Sequence, residues 1–442
     1  MDLGRYKIVK DPVYGYVRLY EHELGIVDTL LFQRLRRVKQ LGVAHLVYPG
    51  AQHTRFEHSI GTAFIAEEMV RSVLDKAGIR GSDLERYVVI SRVVALLHDI
   101  GHGPYSHTFE EYVLYPRNLD HEVMASRLLS GHEELAGAVE RIVSEYGYGV
   151  DAIAAALSSK SVEEWPFREA MGDAGDERAL FYIFKGAFCS DLIDYLLRDS
   201  YFSGAGYADS IDWRRLTHFM ELRGPVVAVD ERALEVLDQV LIARLFMFST
   251  VYYHKKVRAA EKVVGMLLQR YDEELGFDSY VEDPEAYQEL DDYYVLGSTS
   301  VRGWDEARWL LSRNIPFKAV EEYKLLLPRG SGLLESLVGL SRRYLEQALE
   351  EALRRRGLEL VAGKDFFVDT PKLPLNPMLS DEEVFIVRGG EVVSRNVTEL
   401  TWLHAPSSIA VVRLYVNRRS VGGVKEVVDE FLKLMRGTRS FY

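Results

Sequence analysis

The chain has 442 residues, 48% hydrophobic and 27% charged with 13 prolines, so it is long enough for two or three domains with a large core, and wholesale disorder is excluded. A formal net charge of −13 argues against nonspecific nucleic-acid binding as the main business, because that needs a cationic surface to displace phosphate counterions; a local basic pocket stays open. Cys189 is the only cysteine, which rules out an intrachain disulfide framework and a thiolate-rich zinc site and suits a reducing cytosol.

Residues 1–5 carry no apolar signal core, and no run reaches the roughly 18–20 apolar residues needed to span a bilayer. A cytoplasmic protein without membrane attachment is therefore expected. Residues 7–20 alternate around Asp11-Pro12-Val13-Tyr14-Gly15 and read as strand, turn and strand. A helix is expected over 31–42, where Phe32, Leu35, Val38 and Leu41 recur every third position and leave Arg34, Arg36, Arg37 and Lys39 elsewhere. Solvation is the ordinary reading of that basic face. The stretch His53–Gly61 opens a helix continuing through Phe64, Ile65, Met69 and Val70. Arg55 and His58, three apart, share a face suited to a metal ligand beside a phosphate-binding arginine, or to a plain helix start.

The most informative stretch is Val93–His107. An apolar helical run leads into His98-Asp99, and a glycine-bounded turn delivers His102 and His107. Burying an ionised Asp among Val, Leu and Ile is costly unless something cationic neutralises it, and the nearest candidates in sequence are imidazoles. A capping cluster with core histidines would explain an isolated His-Asp pair; two further histidines favour a metal ion. Glu110 lies one helical turn beyond His107, and Asp120-His121-Glu122 begins another helix. A carboxylate that orients one imidazole beside a second is the usual means of fixing the tautomer of a histidine acid or base.

Cys189–Ser200 has helical periodicity, with Asp191, Asp194, Tyr195, Arg198 and Asp199 on adjoining faces. Either a cation or a network of intrahelical Asp–Arg pairs satisfies these acids. Residues 230–275 form a long helical region holding Arg244, Tyr252, Tyr253, His254, Lys255 and Lys256, which suits a nucleotide pocket or core tyrosines beside a solvated patch. Residues 283–356 look mostly helical, whereas 384–387, 392–394 and 409–416 are strand-like and 424–435 is amphipathic. The expected architecture is a mainly α core with a small C-terminal α+β lobe: a core over 1–275, a helical extension over 276–356 and the lobe over 357–442. There is no phosphate loop, nucleophile elbow, HExxH or CxxC motif, so phosphate chemistry here would rest on a metal with Arg and His.

His58, His98-Asp99 and Asp191 match the H…HD…D pattern of the HD-domain metal-dependent phosphohydrolases. Lys39-Gln40-Leu41-Gly42, Pro49-Gly50-Ala51, Arg55–Ser59 and His98–His107 narrow the likeness. The chain resembles, over nearly its whole length, the HD-domain deoxynucleoside triphosphate triphosphohydrolases, with no SAM domain expected ahead of it. That resemblance implies a fold built on an HD-domain helical core, and hydrolysis of dNTPs to deoxynucleoside and inorganic triphosphate. His58, His98, Asp99 and Asp191 would hold a divalent ion, with Fe, Mn, Zn, Co, Ni or Mg as candidates. His102 and Arg55 would neutralise the α-phosphate, and Arg244 would reach the outer phosphates. His107 would assist departure of the 5′-oxygen, supported by Glu110, where the family more often has Asp, and by His121. Gln40, Leu41, Tyr195, Asp199 and Tyr252 would surround the deoxyribose, with Tyr252 crowding a 2′-hydroxyl.

The same resemblance implies a GTP or dGTP activator site at Lys7, Ile8, Asp28, Gln33 and Arg36, and a homotetramer or homodimer. One position departs from the pattern: Leu192 stands where a mammalian member has a phosphate-contacting Lys. Two other readings remain at this stage. One is an HD-domain enzyme acting on nucleoside monophosphates or cyclic nucleotides; the other is a non-catalytic nucleotide-binding regulatory module.

Overall fold

The computed structural model describes residues 4–327, 342–370, 383–396, 408–419, 422 and 424–437. An antiparallel hairpin comes first, β1 (Tyr6–Asp11) and β2 (Gly15–Tyr20). At its turn the carboxylate of Asp11 accepts from the amides of Val13 and Tyr14 at 2.8 and 2.9 Å. Two long helices then form the centre of the core, α1 (Arg55–Lys76) and α2 (Gly81–Leu97), lying against one another. α1 starts at a capping box in which Thr54 and Glu57 satisfy each other's backbone amides. α2 is apolar on nearly all sides, with Val88, Ile90, Val93, Val94, Leu96 and Leu97 all buried, as a helix surrounded by others must be.

Around this pair run α3 (His121–Gly131), α4 (Ser190–Ser203), which lies along α1, then β3 (Met220–Arg223) and β4 (Val226–Asp230). α5 (Leu234–Met247) and α6 (Lys255–Glu274) follow. Further on come β5 (Phe317–Leu327), α7 (Arg342–Arg354), β6 (Phe366–Asp369), β7 (Glu383–Arg388), β8 (Glu391–Asn396), β9 (Ser408–Asn417) and α8 (Val424–Gly437). They make a three-stranded sheet in the order β5-β9-β6, covered by α7 and α8 through Leu345, Leu349, Leu353, Val427 and Phe431. The hairpin β7-β8 joins a different sheet, with β7 parallel to β4. The protein is mainly α, with a small C-terminal region that contains sheet. No helix among the described residues is long and apolar enough to cross a membrane.

Two expectations differ from what forms. The helix expected over 31–42 is instead two short turns, Leu30–Gln33 and the 3₁₀ turn Arg34–Arg37, ending at Val38 in an extended conformation. Apolar spacing of three is the 3₁₀ period rather than the α period. Nor is Arg34 solvated: it is fully buried and donates to the carbonyls of Ile100, His102 and Leu290 at 2.6, 2.8 and 2.8 Å. The stretch 283–356, expected mostly helical, contains the eleven-residue strand β5. Its alternation is broken by an irregularity between Ala319 and Glu321, and its partner β9 lies some ninety residues on; long-range pairing has overridden a weak local pattern.

Arg34 ties the turn after α2 to the segment around Leu290. Arg34→Met would leave three carbonyls unpaired in the core and is expected to lower unfolding stability by about 3–5 kcal/mol, read by urea denaturation.

Candidate metal centre and its histidine cluster

α2 stops at Leu97, and His98 and Asp99 follow in the turn; His58 stands in the first turns of α1 and Asp191 in the first turn of α4. Hydrogen bonds behind the two imidazoles fix their tautomers. His98 Nδ1 lies 2.6 Å from the carbonyl of Ala95, which can only accept, so that nitrogen carries the proton. His58 Nδ1 lies 2.7 Å from Asp194 Oδ2, with the same consequence. In their neutral forms both rings therefore turn an Nε2 lone pair forward, and these two atoms stand 3.2 Å apart. Asp191 Oδ1 is 3.0 Å from His58 Nε2 and 3.6 Å from His98 Nε2, and Asp99 oxygens are 3.5 Å from each.

Four electron-pair donors facing one another repel unless a cation sits among them, and a mixed imidazole–carboxylate set is a suitable donor set for a divalent ion. The electrostatics carry the same demand. Burial opposes a charge on His58, yet Asp191, Asp194 and Asp99 outweigh it and lift its imidazole to about 10. Burial likewise pushes the carboxyls of Asp99 and Asp191 up, but Arg55, His98 and His102 hold Asp99 far below the usual range, and His58 and His98 do so for Asp191. Asp191 is the open edge of the set, its side chain 38% exposed against 1–16% for the other three. It borders a cleft of about 480 Å³ lined also by His98, Asp99, His121, Glu122 and Lys185.

Beside this set stand His102, His107 and His121. Glu110 bridges two of them, Oε2 to His107 Nδ1 at 2.9 Å and Oε1 to His121 Nδ1 at 2.7 Å, and also accepts from the His121 amide. Burial raises the Glu110 carboxyl, but the two imidazoles outweigh it and hold the group ionised. His102 is buried, its Nδ1 has no partner among the described residues and its Nε2 lies 3.4 Å from Asp99. Burial, Arg55 and His121 keep its imidazole well below the usual value, hence neutral. The rings of His102 and His121 stack 4.1 Å apart at 15°, and one ring nitrogen of each of the three histidines lies within 4.8 Å of the others. His107, 70% exposed, stands at the rim.

Arg55 joins the two clusters, its Nη1 on Asp99 and its Nε donating to Ser106 Oγ at 2.9 Å. Tyr105 and Ser106 both have positive φ, 61° and 55°. Such backbone persists when surrounding contacts over-determine it: Asp292 accepts from the Tyr105 amide at 2.7 Å, and Ser106 Oγ donates to the Lys39 carbonyl at 2.8 Å. A second network links candidates from distant segments. Tyr252 OH donates to Asp199 Oδ2 at 2.6 Å, Asp199 Oδ1 pairs with His53 Nε2 at 2.8 Å, and the His53 carbonyl accepts from the Gln40 amide, next to Leu41. Arg244 Nη1 donates to Tyr195 OH at 3.0 Å. Among the described residues, Gln40 Oε1 and Arg244 Nε are buried without partners.

Leu192 packs into the core. Lys7 and Ile8 are exposed on β1, and Asp28 and Arg36 are exposed beyond it. Gln33 accepts from Arg36 at 2.8 Å, and Arg36 lies over the Phe56 ring; no hydrogen bond or ion pair joins this group to Lys7 or Ile8. Sequence reasoning left out His53 and Ser106, which no local pattern marks. It also left out Asp194 as an orienting residue, although Asp194 follows Asp191 by three and precedes Arg198 by four on one helix.

Asp292 yields a pH prediction. Burial raises its carboxyl from 3.8 to about 6, against the amides of Tyr105 and Lys39 that favour the anion. The folded state thus holds this proton longer than the unfolded chain, and the associated stability, complete below pH 3.8, is lost as pH rises through 6. The stability of Asp292→Asn relative to the parent should therefore rise by up to about 3 kcal/mol between pH 4 and 7, measured by urea denaturation along a pH series.

Residues 55–163 match the HD domain family and residues 211–313 the HD associated region. An uncharacterized protein of Bacillus subtilis is 31% identical over 270 residues, 61% of this chain and 56% of its own. The deoxynucleoside triphosphate triphosphohydrolase SAMHD1 of Gallus gallus is 28% identical over 356 residues, 72% of this chain and 56% of its own. Matches thus span about half the length of these curated relatives. The crystal structure of a hypothetical protein from Aquifex aeolicus superposes with a TM-score of 0.71 at 27% identity, covering 96% of this chain and all of that one.

Proposed function

We propose that this chain, which carries an HD domain and an HD-associated region, is a metal-dependent phosphohydrolase that cleaves deoxynucleoside triphosphates to deoxynucleoside and inorganic triphosphate. The observation that carries the reading is the pair of Nε2 atoms 3.2 Å apart, flanked by Asp99 and Asp191 and bordered by a glutamate-bridged histidine pair. Similarity to SAMHD1 proteins supports the dNTP as substrate.

A divalent ion held by His58, His98, Asp99 and Asp191 would supply Lewis acidity at the α-phosphate and lower the pKa of a bound water. The chain's own groups do the rest. Arg55 holds non-bridging α-phosphate oxygens and offsets charge that grows there, and His102 joins it when its Nδ1 carries a proton. As the water oxygen bonds to phosphorus, the bond from phosphorus to O5′ breaks, and O5′ must take a proton to leave as the deoxynucleoside hydroxyl. His107 holds that proton at Nε2 while Glu110 fixes Nδ1–H, and His121 keeps the other oxygen of Glu110 in place.

In this reading Tyr252, braced by Asp199, crowds a ribose 2′-hydroxyl, with Gln40, Leu41 and Tyr195 around the sugar. Leu192 faces the core, and Arg244 reaches the outer phosphates in this reading. GTP or dGTP at Lys7, Ile8, Asp28, Gln33 and Arg36, across an interface between copies of the chain, is the activator arrangement that accompanies this reading.

The test is a panel of four dNTPs and GTP with Mg, Mn, Fe, Co or Zn, with products separated by ion-exchange chromatography. Tripolyphosphate and deoxynucleoside in equal amounts are expected; orthophosphate alone, or no turnover of any dNTP with GTP present, would remove the proposal. His107→Ala is expected to lower kcat about 10²–10⁴-fold while leaving the bound-metal content as in the parent.

A further inference from the structure

Behind His58 a chain of buried charges leads away from the cleft. His58 Nδ1 donates to Asp194 Oδ2 at 2.7 Å, and Arg198, one turn further along α4, grips both oxygens of Asp194 at 2.9 and 3.0 Å. The remaining Nη1 of Arg198 reaches Asp11 Oδ2 at 2.9 Å, at the end of β1. The other oxygen of Asp11 is the acceptor that shapes the hairpin turn. His58, Asp194, Arg198 and Asp11 are each 4% exposed or less, so water does not screen them. The turn itself is pressed onto the helices, with the Tyr14 ring 5.7 Å from the Arg198 guanidinium and packed against Phe64 and Trp213.

The path depends on one glycine. Gly61 lies on α1 one turn after His58, and a Cβ there would run into the carboxylate of Asp194, 2.8 Å from its Cγ, and into the Arg198 guanidinium. A bare backbone at 61 lets the ion pair pass across the helix. Summed over Asp11, Arg198 and Asp194 the relay carries one net negative charge, buried directly behind His58.

From this geometry we infer that Asp194, Arg198 and Asp11 form a positioning relay through which the β1-β2 hairpin sets how strongly His58 binds the metal. Asp194 makes Nε2 a better donor by accepting at Nδ1, an effect of outer-sphere carboxylates on imidazole ligands. Arg198 divides its charge between two carboxylates, and Asp11 decides how much is left for Asp194. With Asp11 neutral, Arg198 leans wholly on Asp194, withdraws charge from the His58 hydrogen bond, and weakens Nε2. The inference rests on the metal-centre reading above.

A double-mutant cycle on the full chain tests it, with Mn or Co affinity measured by competition against a chromogenic chelator in the absence of substrate. Asp194→Asn is expected to weaken binding about 10–100-fold. Asp11→Asn should weaken it several-fold in the parent and change nothing further in Asp194→Asn, a non-additivity that general destabilisation would not produce. Unchanged affinity in Asp194→Asn, or losses that simply add, would overturn the relay. Should Asp194→Asn fail to fold, an unchanged affinity in Asp11→Asn alone overturns it. If the parent itself bound neither ion, the metal-centre reading would fall instead.

Discussion

Two imidazole Nε2 atoms held face to face at 3.2 Å are the constraint from which the rest of the site follows. Left alone they would repel, and the protein has removed the easy relief of rotating either ring. His98 is pinned by the carbonyl of Ala95, in the last turn of α2, and His58 by a carboxylate whose own partner is a fully buried arginine. Neither ring can swap its tautomer without losing a buried hydrogen bond, a loss of about 1–3 kcal/mol for each unsatisfied group. Adding Asp99 and Asp191 to that pair makes positive charge at the centre the cheapest solution, whether a proton on His58 or a metal ion.

The surrounding fold keeps these donors from relaxing. Arg34 fastens the turn after α2 by two of its carbonyls and ties it to that of Leu290. Gly101 allows the first turn of α3 to approach so closely that a Cβ there would meet the backbone of His121 and Ala125. Asp292 and Arg55 hold Tyr105 and Ser106 in a conformation they would not choose, and so aim His107 at the rim. Beside the donors the buried charges are paired, Arg55 with Asp99 and Arg198 with Asp194 and Asp11, as isolated ions in such surroundings would be far too costly.

Much of this was readable in the sequence for definite reasons. His98-Asp99 at the end of an apolar run announces a buried charge, and the i, i+3 pair Arg55 and His58 points along one helix face. The strand-like runs 384–387, 392–394 and 409–416 each fall within a strand. What the sequence concealed was set by contacts between distant segments. Arg34 looked like part of a solvated basic stripe because its three acceptors lie 66 to 256 positions away. β5 looked helical because its partner arrives late in the chain. His53 carries no local sign that it braces Asp199, and Asp194, legible as one acid among several, takes its meaning only from the ring in front of it.

The most direct measurement of the central claim is X-ray absorption at the K-edge of cobalt loaded one equivalent per chain, in the parent and in His98→Ala. The account predicts a first shell of nitrogen and oxygen with scattering from two imidazole rings in the parent, and one in the variant. A shell of oxygen alone, or a parent spectrum that His98→Ala leaves unaltered, would contradict it.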